Sequence, residues 1–259
     1  MVYLALSPRI AVILAAGSGT RIGYPKAVLE VLGSPLITYP LSVLQIVGVK
    51  MFCIVTRRDL ASRVEEHAVE TLGSPHDFTI VINDEPEREN GFSLLLAARE
   101  CPWGLYEPAF ISMVDHIYPP LLAQRVAMSG SNHNKYYVIG GDREALYVDE
   151  EEATKLLVDA SMAIRRLGKS ISSWTHLDTG LHLAYRFAVE LSYELLGRPY
   201  RVALNDLTST LALHGMLYLA DVSGIPWKDI DTREDLESIE RGSSRAVLDT
   251  VREWVYWEK

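Results

Sequence analysis

The chain has 259 residues, a formal charge of −9, 48% hydrophobic residues and 23% charged residues. That length supports one large α/β domain with a full core. The acidic balance argues against a general nucleic-acid surface and against membrane binding by net charge, and no run of 18 or more apolar residues is present to span a bilayer.

Met1–Leu14 is apolar enough to suggest a leader, but its one early cation is Arg9 and it runs into a glycine turn. Ile10–Leu14 is therefore predicted as a buried strand. The turn brings small residues, Arg21 and, after Pro25, Lys26, which together can cradle an anion. Pro35 opens a helical pattern through Leu36, Tyr39, Val43 and Ile46, in which Pro40 should kink or restart the helix. Lys50–Val55 is the second predicted strand. Asp59 is placed to cap a helix carrying Leu60, Val64, Ala68 and Leu72. Phe78–Ile82 is the third strand, and Gly91-Phe92-Ser93 opens the next helix. Ala109–Val114 is the fourth strand and ends at Asp115-His116, before a helix begun by Pro119 and Pro120. This alternation over residues 1–130 predicts a doubly wound, largely parallel sheet. Ligands of such sheets bind at the C-terminal strand ends, where the glycine turn, Asn90 and Asp115 fall.

The second half is less regular. Lys135–Gly140 and Leu146–Val148 read as strands, Glu150–Thr154 as an acidic turn and Ala160–Leu167 as a helical pattern. Asp178-Thr179-Gly180 reads as a turn leading into a helix with Phe187, Leu191 and Leu195. Leu204–His214 is predicted helical, capped by Asn205 or Asp206, and Met216–Val222 is predicted as a strand. Thr232-x-x-Asp235 forms a capping box. Val247, Val251, Trp254 and Val255 form a stripe that packs on the domain or a partner. Cys53 and Cys101 are isolated in apolar surroundings and read as buried free thiols. Only two glutamines occur, which is compatible with a thermophilic source.

The glycine turn can be discriminated by its spacing. Gly17, Gly19 and Gly23 give G-x-G-x-x-x-G, one residue longer than the dinucleotide fingerprint, and no carboxylate ends Met51–Val55. The P-loop pattern is also absent. What stands is L-A-A-G-x-G-T-R followed by P-K. This resembles the signature of nucleotidyltransferases that join a nucleoside triphosphate to a phosphorylated sugar, polyol or alcohol. Glu89-Asn90-Gly91-Phe92-Ser93 resembles a segment of the cytidylyltransferase branch. Glu151-Glu152-Ala153-Thr154-Lys155, Gly168-Lys169, Asp178-Thr179-Gly180 and Trp227-x-Asp229-x-Asp231-Thr232 together resemble the archaeal inositol-1-phosphate cytidylyltransferases.

The resemblance implies a Rossmann-like, mixed but mainly parallel sheet of the GT-A-like nucleotidyltransferase type. It implies one domain over 1–259, with a nucleotide half (1–130), an acceptor half (131–241) and a C-terminal helix (242–259). Leu14, Ala15, Ala16, Gly17, Ser18, Gly19, Thr20, Arg21 and Lys26 would cradle the nucleotide phosphates, and Glu89, Asn90, Gly91 and Ser93 would read the base. Asn90 offers both a donor and an acceptor to a pyrimidine edge. Lys169, Asp178, Thr179 and Gly180 would hold the acceptor. Catalysis would rest on Lys26, Arg21 and Asp115. Asp115, Asp229 and Asp231 would bind Mg2+. In an extended segment the two late aspartates share one face and repel unless a cation lies between them; the plainer alternative is that Asp231 caps the following helix. His116 is either a group behind the ligands or an ordinary satisfied histidine. The expected activity is CMP transfer from CTP to inositol 1-phosphate in the cytoplasm. The expected partners are CTP and a polyol phosphate, without nucleic acid, beside or excised from a membrane transferase, with a homodimer allowed. Rival readings are a sugar-1-phosphate or choline-phosphate nucleotidyltransferase and a non-catalytic nucleotide sensor.

Overall fold

The structure, a computed structural model, describes residues 8–130 and 135–255, with side chains to residue 252. In chain order it contains β1 (Ile10–Leu14), β2 (Glu30–Val31), β3 (Ser34–Pro35), α1 (Thr38–Ile46), β4 (Met51–Thr56), α2 (Ala61–Leu72), β5 (Phe78–Ile82), α3 (Glu89–Glu100), β6 (Pro108–Met113), β7 (His116–Ile117) and α4 (Pro120–Gly130). There follow β8 (Tyr137–Asp142), β9 (Lys155–Val158), β10 (Ile164–Gly168), β11 (His176–Tyr185), α5 (Arg186–Leu195), α6 (Leu204–Leu213), β12 (Leu217–Asp221), β13 (Lys228–Asp229), α7 (Arg233–Arg241) and α8 (Arg245–Val255).

Among the described residues, nine strands form one sheet. Its first half runs β5-β4-β1-β6 with every pair parallel. β11 then pairs antiparallel with both β6 and β8, and β12 pairs parallel with β8. The β9–β10 hairpin joins at the N-terminal end of β11. The sheet is thus mixed but mainly parallel, as the sequence predicts. β1 shows why its strands read as continuous apolar runs. Ala11 and Ile13 pack on one face with α1, α2, α4 and the C-terminal helices, while Ile10, Val12 and Leu14 pack on the other with α3 and α6. Among the described residues no helix is long and apolar enough to cross a membrane.

Several expectations are corrected. Pro40 falls in the first turn of α1, where its missing N–H is one the helix leaves unbonded anyway, so no kink follows. Asp59 does not cap α2; it lies in a preceding 3-10 turn and pairs with Arg57. Leu146–Val148 is not a strand. Residues 160–167 are not helical: a turn at Asp159–Met162 leads into the edge strand β10. Asp178-Thr179-Gly180 lies inside β11, where the register against β8 shifts between Asp178 and His182. Cys53 and Cys101 are not free thiols but a disulfide with Cα atoms 6.1 Å apart. α3 lies over β4 and brings its C-terminal cap to the strand, closing a sequence gap of 48 residues that spacing alone does not reveal. Trp254 and Val255 fall outside the described side chains, and Met1–Ser7 outside the described residues.

Candidate active site

The strand order reverses at β1. The chain leaves it toward β4 and β5, then returns to its other side as β6. The crevice beyond the C-terminal ends of β1 and β6 is therefore the expected ligand site. A cavity of about 510 Å³ lies there. Leu14, Ala16, Gly17, Ser18, Gly19, Thr20, Arg21 and Lys26 line one side, and Glu89, Asn90 and Ser93 line the other. Gly19 has φ +64°, and a Cβ there would run into the backbone carbonyl of Tyr24. Gly17 differs: a Cβ there would meet no protein atom within 4 Å. The fold requires the first glycine of this pair far less than the second.

A second cavity of about 330 Å³ shares Arg21, Lys26, Glu89, Asn90, Met113 and Asp115 with the first. It extends to Glu152, Lys169, Asp178, Gly180, Asn205, Asp229 and Asp231. The late aspartates arrive through a short antiparallel pairing of β13 with β7, which sets Asp229 opposite His116. The Ile230 N–H also donates to the Asp115 carbonyl at 2.9 Å. The capping box of α7 fixes the next turn: Asp235 accepts from the N–H groups of Asp231 and Thr232 and pairs with Lys228. Asp231 thus precedes the cap, which is Thr232, and its carboxylate is free to face the site.

Lys26 Nζ sits between Asp115, at 2.6 Å, and Asp231. Burial opposes its charge, but the two carboxylates outweigh burial and hold its pKa above the usual lysine value. Asp115 also lies 2.8 Å from His116 Nδ1. Burial would push the Asp115 carboxyl up; the bond to His116 and the charges of His116 and Lys26 instead hold it well below the usual carboxylate range. The same bond raises His116 against its own burial, with Asp229 and Asp178 adding to the shift. Arg21 bridges outward from Asp231 Oδ2, at 2.6 Å, to Glu152 Oε2, at 2.9 Å, which Lys169 also contacts at 3.2 Å.

The register shift in β11 has a specific use. Gly180, at φ +70°, leaves room for the His116 ring, which stacks on Trp227 with centroids 5.9 Å apart. The Trp227 indole N–H is in turn held by Asp142 at 3.0 Å. Asp178 Oδ1 accepts the Gly180 N–H at 2.8 Å and lies 3.0 Å from His182 Nε2, whose other nitrogen faces Tyr137. Burial opposes the Asp178 charge, but His182 outweighs it and keeps the carboxyl below its usual value.

On the opposite wall, Asn90 Oδ1 accepts the Leu204 N–H at 2.8 Å, leaving its amide N–H groups for a ligand. Glu89 adopts φ 76° and ψ 174°, a conformation that costs a non-glycine residue about 1–3 kcal/mol. Arg88, whose guanidinium lies over the rings of Phe92 and Tyr200, anchors that turn.

Three of the expected site residues do not reach a cavity wall. Ala15 is buried and donates to the Val55 carbonyl. Gly91 is pressed against the backbone of Val202 and Ala203. Thr179 is buried and donates to the Gly140 carbonyl at 2.9 Å. Conversely, Thr154, His182 and Asn205 line the second cavity without having been singled out as site residues. Reading 176–185 as a strand would have placed His182 on the face of Asp178, since the two are an even number of residues apart.

The donor set suits a hard divalent cation. Asp115, Asp229 and Asp231 supply oxygen only. Burial raises the Asp229 carboxyl, and Asp115 and Asp231 add to that against His116 and Lys228; the Lys228 ammonium stands 3.7 Å away. Among the described residues no preformed group of three or more His, Cys, Asp or Glu makes a metal cage.

Comparison with known proteins gives a consistent picture. A "Bifunctional IPC transferase and DIPP synthase" from Aquifex aeolicus is 32% identical over 89% of this chain and 51% of its own. One of the same name from Thermococcus kodakarensis is 33% identical over 93% of this chain and 52% of its own. The chain therefore spans about half the length of these relatives. The solved structure of the inositol-1-phosphate CTP transferase from T. maritima superposes with a TM-score of 0.82 and 24% identity, covering 95% of this chain and 97% of that one, which shows a shared fold. The family model for the MobA-like NTP transferase domain matches residues 11–175. That span takes in β4, β5 and β6, the glycine cradle and Asp115, and the chain belongs to the MobA-like NTP transferase family.

Proposed function

We propose that the protein transfers CMP from CTP to inositol 1-phosphate, giving CDP-inositol and pyrophosphate. The observation that carries this reading is the shared wall. Two cavities meet at Arg21, Lys26 and Asp115, so a nucleotide and a second anion reach one charge cluster from two sides. The description of the solved neighbour as an inositol-1-phosphate CTP transferase supports CTP and inositol phosphate as the pair.

A phosphate oxygen of the acceptor attacks the α-phosphorus of CTP. The new P–O bond forms as the bond to the bridging β-oxygen breaks, and pyrophosphate leaves with that electron pair. A phosphate monoester is already largely ionised near neutral pH, so no strong base is needed. Lys26 remains protonated because its pKa lies above the usual value. It therefore stabilises charge on the transferring phosphoryl group and does not accept a proton. The Gly17–Arg21 cradle holds the nucleotide phosphates through backbone N–H groups and the Arg21 guanidinium. Asn90, with its oxygen committed to Leu204, directs N–H donors at the acceptor atoms of cytosine. Lys169, Asp178 and the Gly180 backbone receive the acceptor. Asp115, Asp229 and Asp231 would hold Mg2+, which when bound neutralises charge between the two anionic substrates.

The test is a pyrophosphate-release assay crossing the four ribonucleoside triphosphates and dTTP with inositol 1-phosphate, sugar 1-phosphates and choline phosphate. CTP with inositol 1-phosphate is expected to have the highest kcat/KM. Another pair turned over about tenfold faster, equivalent to about 1.4 kcal/mol of transition-state preference, would refute the assignment.

A further inference from the structure

Glu152 has no part in the chemistry above, yet it stands in the acceptor cavity against two cations. One of its oxygens, Oε2, receives both Arg21 Nη1 at 2.9 Å and Lys169 Nζ at 3.2 Å. Arg21 simultaneously holds Asp231, so the bracketed oxygen is one guanidinium removed from the Lys26–Asp115 centre. The turn that carries Glu152 is built independently of these contacts. The N–H groups of Glu152 and Ala153 donate to the Asp149 carbonyl, and that of Glu151 to the Asp149 side chain. The Glu152 side chain is half exposed and can leave without disturbing the turn. Lys155 Nζ donates to the Lys169 carbonyl at 3.1 Å and so ties down the backbone that carries Lys169.

We propose that the Glu152 carboxylate is a place-holder for the acceptor's phosphate monoester, occupying the anion position between Arg21 and Lys169 until the phosphate displaces it. The proposal rests on the acceptor reading of this cavity. Exposed ion pairs are individually weak, so a carboxylate held by two of them can be displaced. A phosphate near its dianionic state offers more charge and more acceptor oxygens to the same two donors. A neutral polyol offers hydroxyl oxygens but no charge to set against the carboxylate, and leaves Glu152 in place. Glu152 is thereby a specificity-determining residue that reserves the subsite for phosphorylated acceptors.

The experiment compares the whole protein with Glu152→Gln and with Glu152→Gln/Lys169→Gln. Expected is a fall of about three- to ten-fold in the KM for inositol 1-phosphate in Glu152→Gln, the range two exposed ion pairs can set, with the KM for CTP moving less than about twofold. Calorimetric titration with inorganic phosphate should show tighter binding to Glu152→Gln by a similar factor, and the added Lys169→Gln should erase that gain. A raised acceptor KM in Glu152→Gln would mean that the carboxylate binds the polyol, and would overturn the proposal. An unchanged phosphate affinity in Glu152→Gln would overturn it as well. The titration needs no turnover, so it reads the place-holder even if another substrate pair proves to be the true one.

Discussion

Gly180→Ala probes the site through a single methyl group. The residue has φ +70°, and its added Cβ would lie 2.5 Å from His116 Nε2 and 2.6 Å from Cγ. Holding alanine in the left-handed region costs about 1–2 kcal/mol. If the His116 ring moves aside, it loses its stack on Trp227, worth about 0.5–1.5 kcal/mol. It also strains the 2.8 Å bond to Asp115, for which a charge-assisted contact contributes about 1.5–3 kcal/mol. The expected loss is therefore about 3–6.5 kcal/mol, which at about 2–4 °C per kcal/mol lowers Tm by roughly 6–26 °C. Thermal melts of the four proteins in the cycle Gly180→Ala and His116→Ala apportion the loss. With the ring absent, Gly180→Ala should cost only the backbone share of about 1–2 kcal/mol, so the coupling should exceed about 1 kcal/mol. Additive losses would show that the methyl group and the ring do not meet, and would refute the packing argument.

Gly17→Ala should fold and melt like the parent but weaken CTP binding, whereas Gly19→Ala should lose about 1–2 kcal/mol or more of stability from its backbone alone; melts and nucleotide titration separate the two, and equal melting losses would refute the distinction. Asp229→Asn should leave the metal-free protein as stable or more stable, because burial and two neighbouring carboxylates disfavour its charge, while pyrophosphate release collapses; a fall in Tm of more than about 3 °C would contradict this. Lys26→Met should lose about 2–4 kcal/mol because Asp115 and Asp231 lose their shared ammonium and keep only His116 and Arg21 as partners. The raised Lys26 pKa keeps its contribution present below the unfolded lysine value and loses it only above, while the depressed Asp115 pKa keeps its contribution present above the unfolded carboxylate value and loses it only as pH falls further. The Tm difference should thus be flat between about pH 5 and 6, where His116, its pKa raised by Asp115, also keeps its charge, and a slope across that window would refute the pairing. Replacing Cys53 and Cys101 with Ala should cost about 2–4 kcal/mol, read by denaturant midpoints, with no loss refuting a stabilising cross-link.

The sequence made the first half of the fold legible because its central strands are buried on both faces. Ile10–Leu14 stands out as an unbroken apolar run with the boundaries seen in the structure. The second half hides its strands. β10 lies at an edge with Arg165 and Arg166 exposed, so its apolar positions mimic a helical face. Asp178-Thr179-Gly180 reads as a turn because a left-handed glycine serves turns and irregular strands alike. Lys26, Asp115 and Asp231 could be singled out by residue type and motif. That Lys26 lies between the two carboxylates could not, because it depends on strand pairing far along the chain. The disulfide was illegible for the same reason: α3 and β4 meet only after the sheet is wound.

The pairing of β7 with β13 also sets when this site can exist. Lys26 and Asp231 are separated by 205 positions, and nothing nearer in sequence substitutes for the β13 segment that delivers Asp229 and Asp231. During synthesis the strands β1, β4, β5 and β6, with the glycine cradle, leave the ribosome first. They carry Lys26 and Asp115 but lack the counter-charges that hold the lysine from its other side. The nascent first half is therefore an unfinished clamp, and its closure waits until β13 has been made and docks along β7. Assembly in that order ties the Lys26 cluster to completion of the second half, so a fragment stopped before residue 229 cannot bring Asp229 and Asp231 to Lys26 and Asp115.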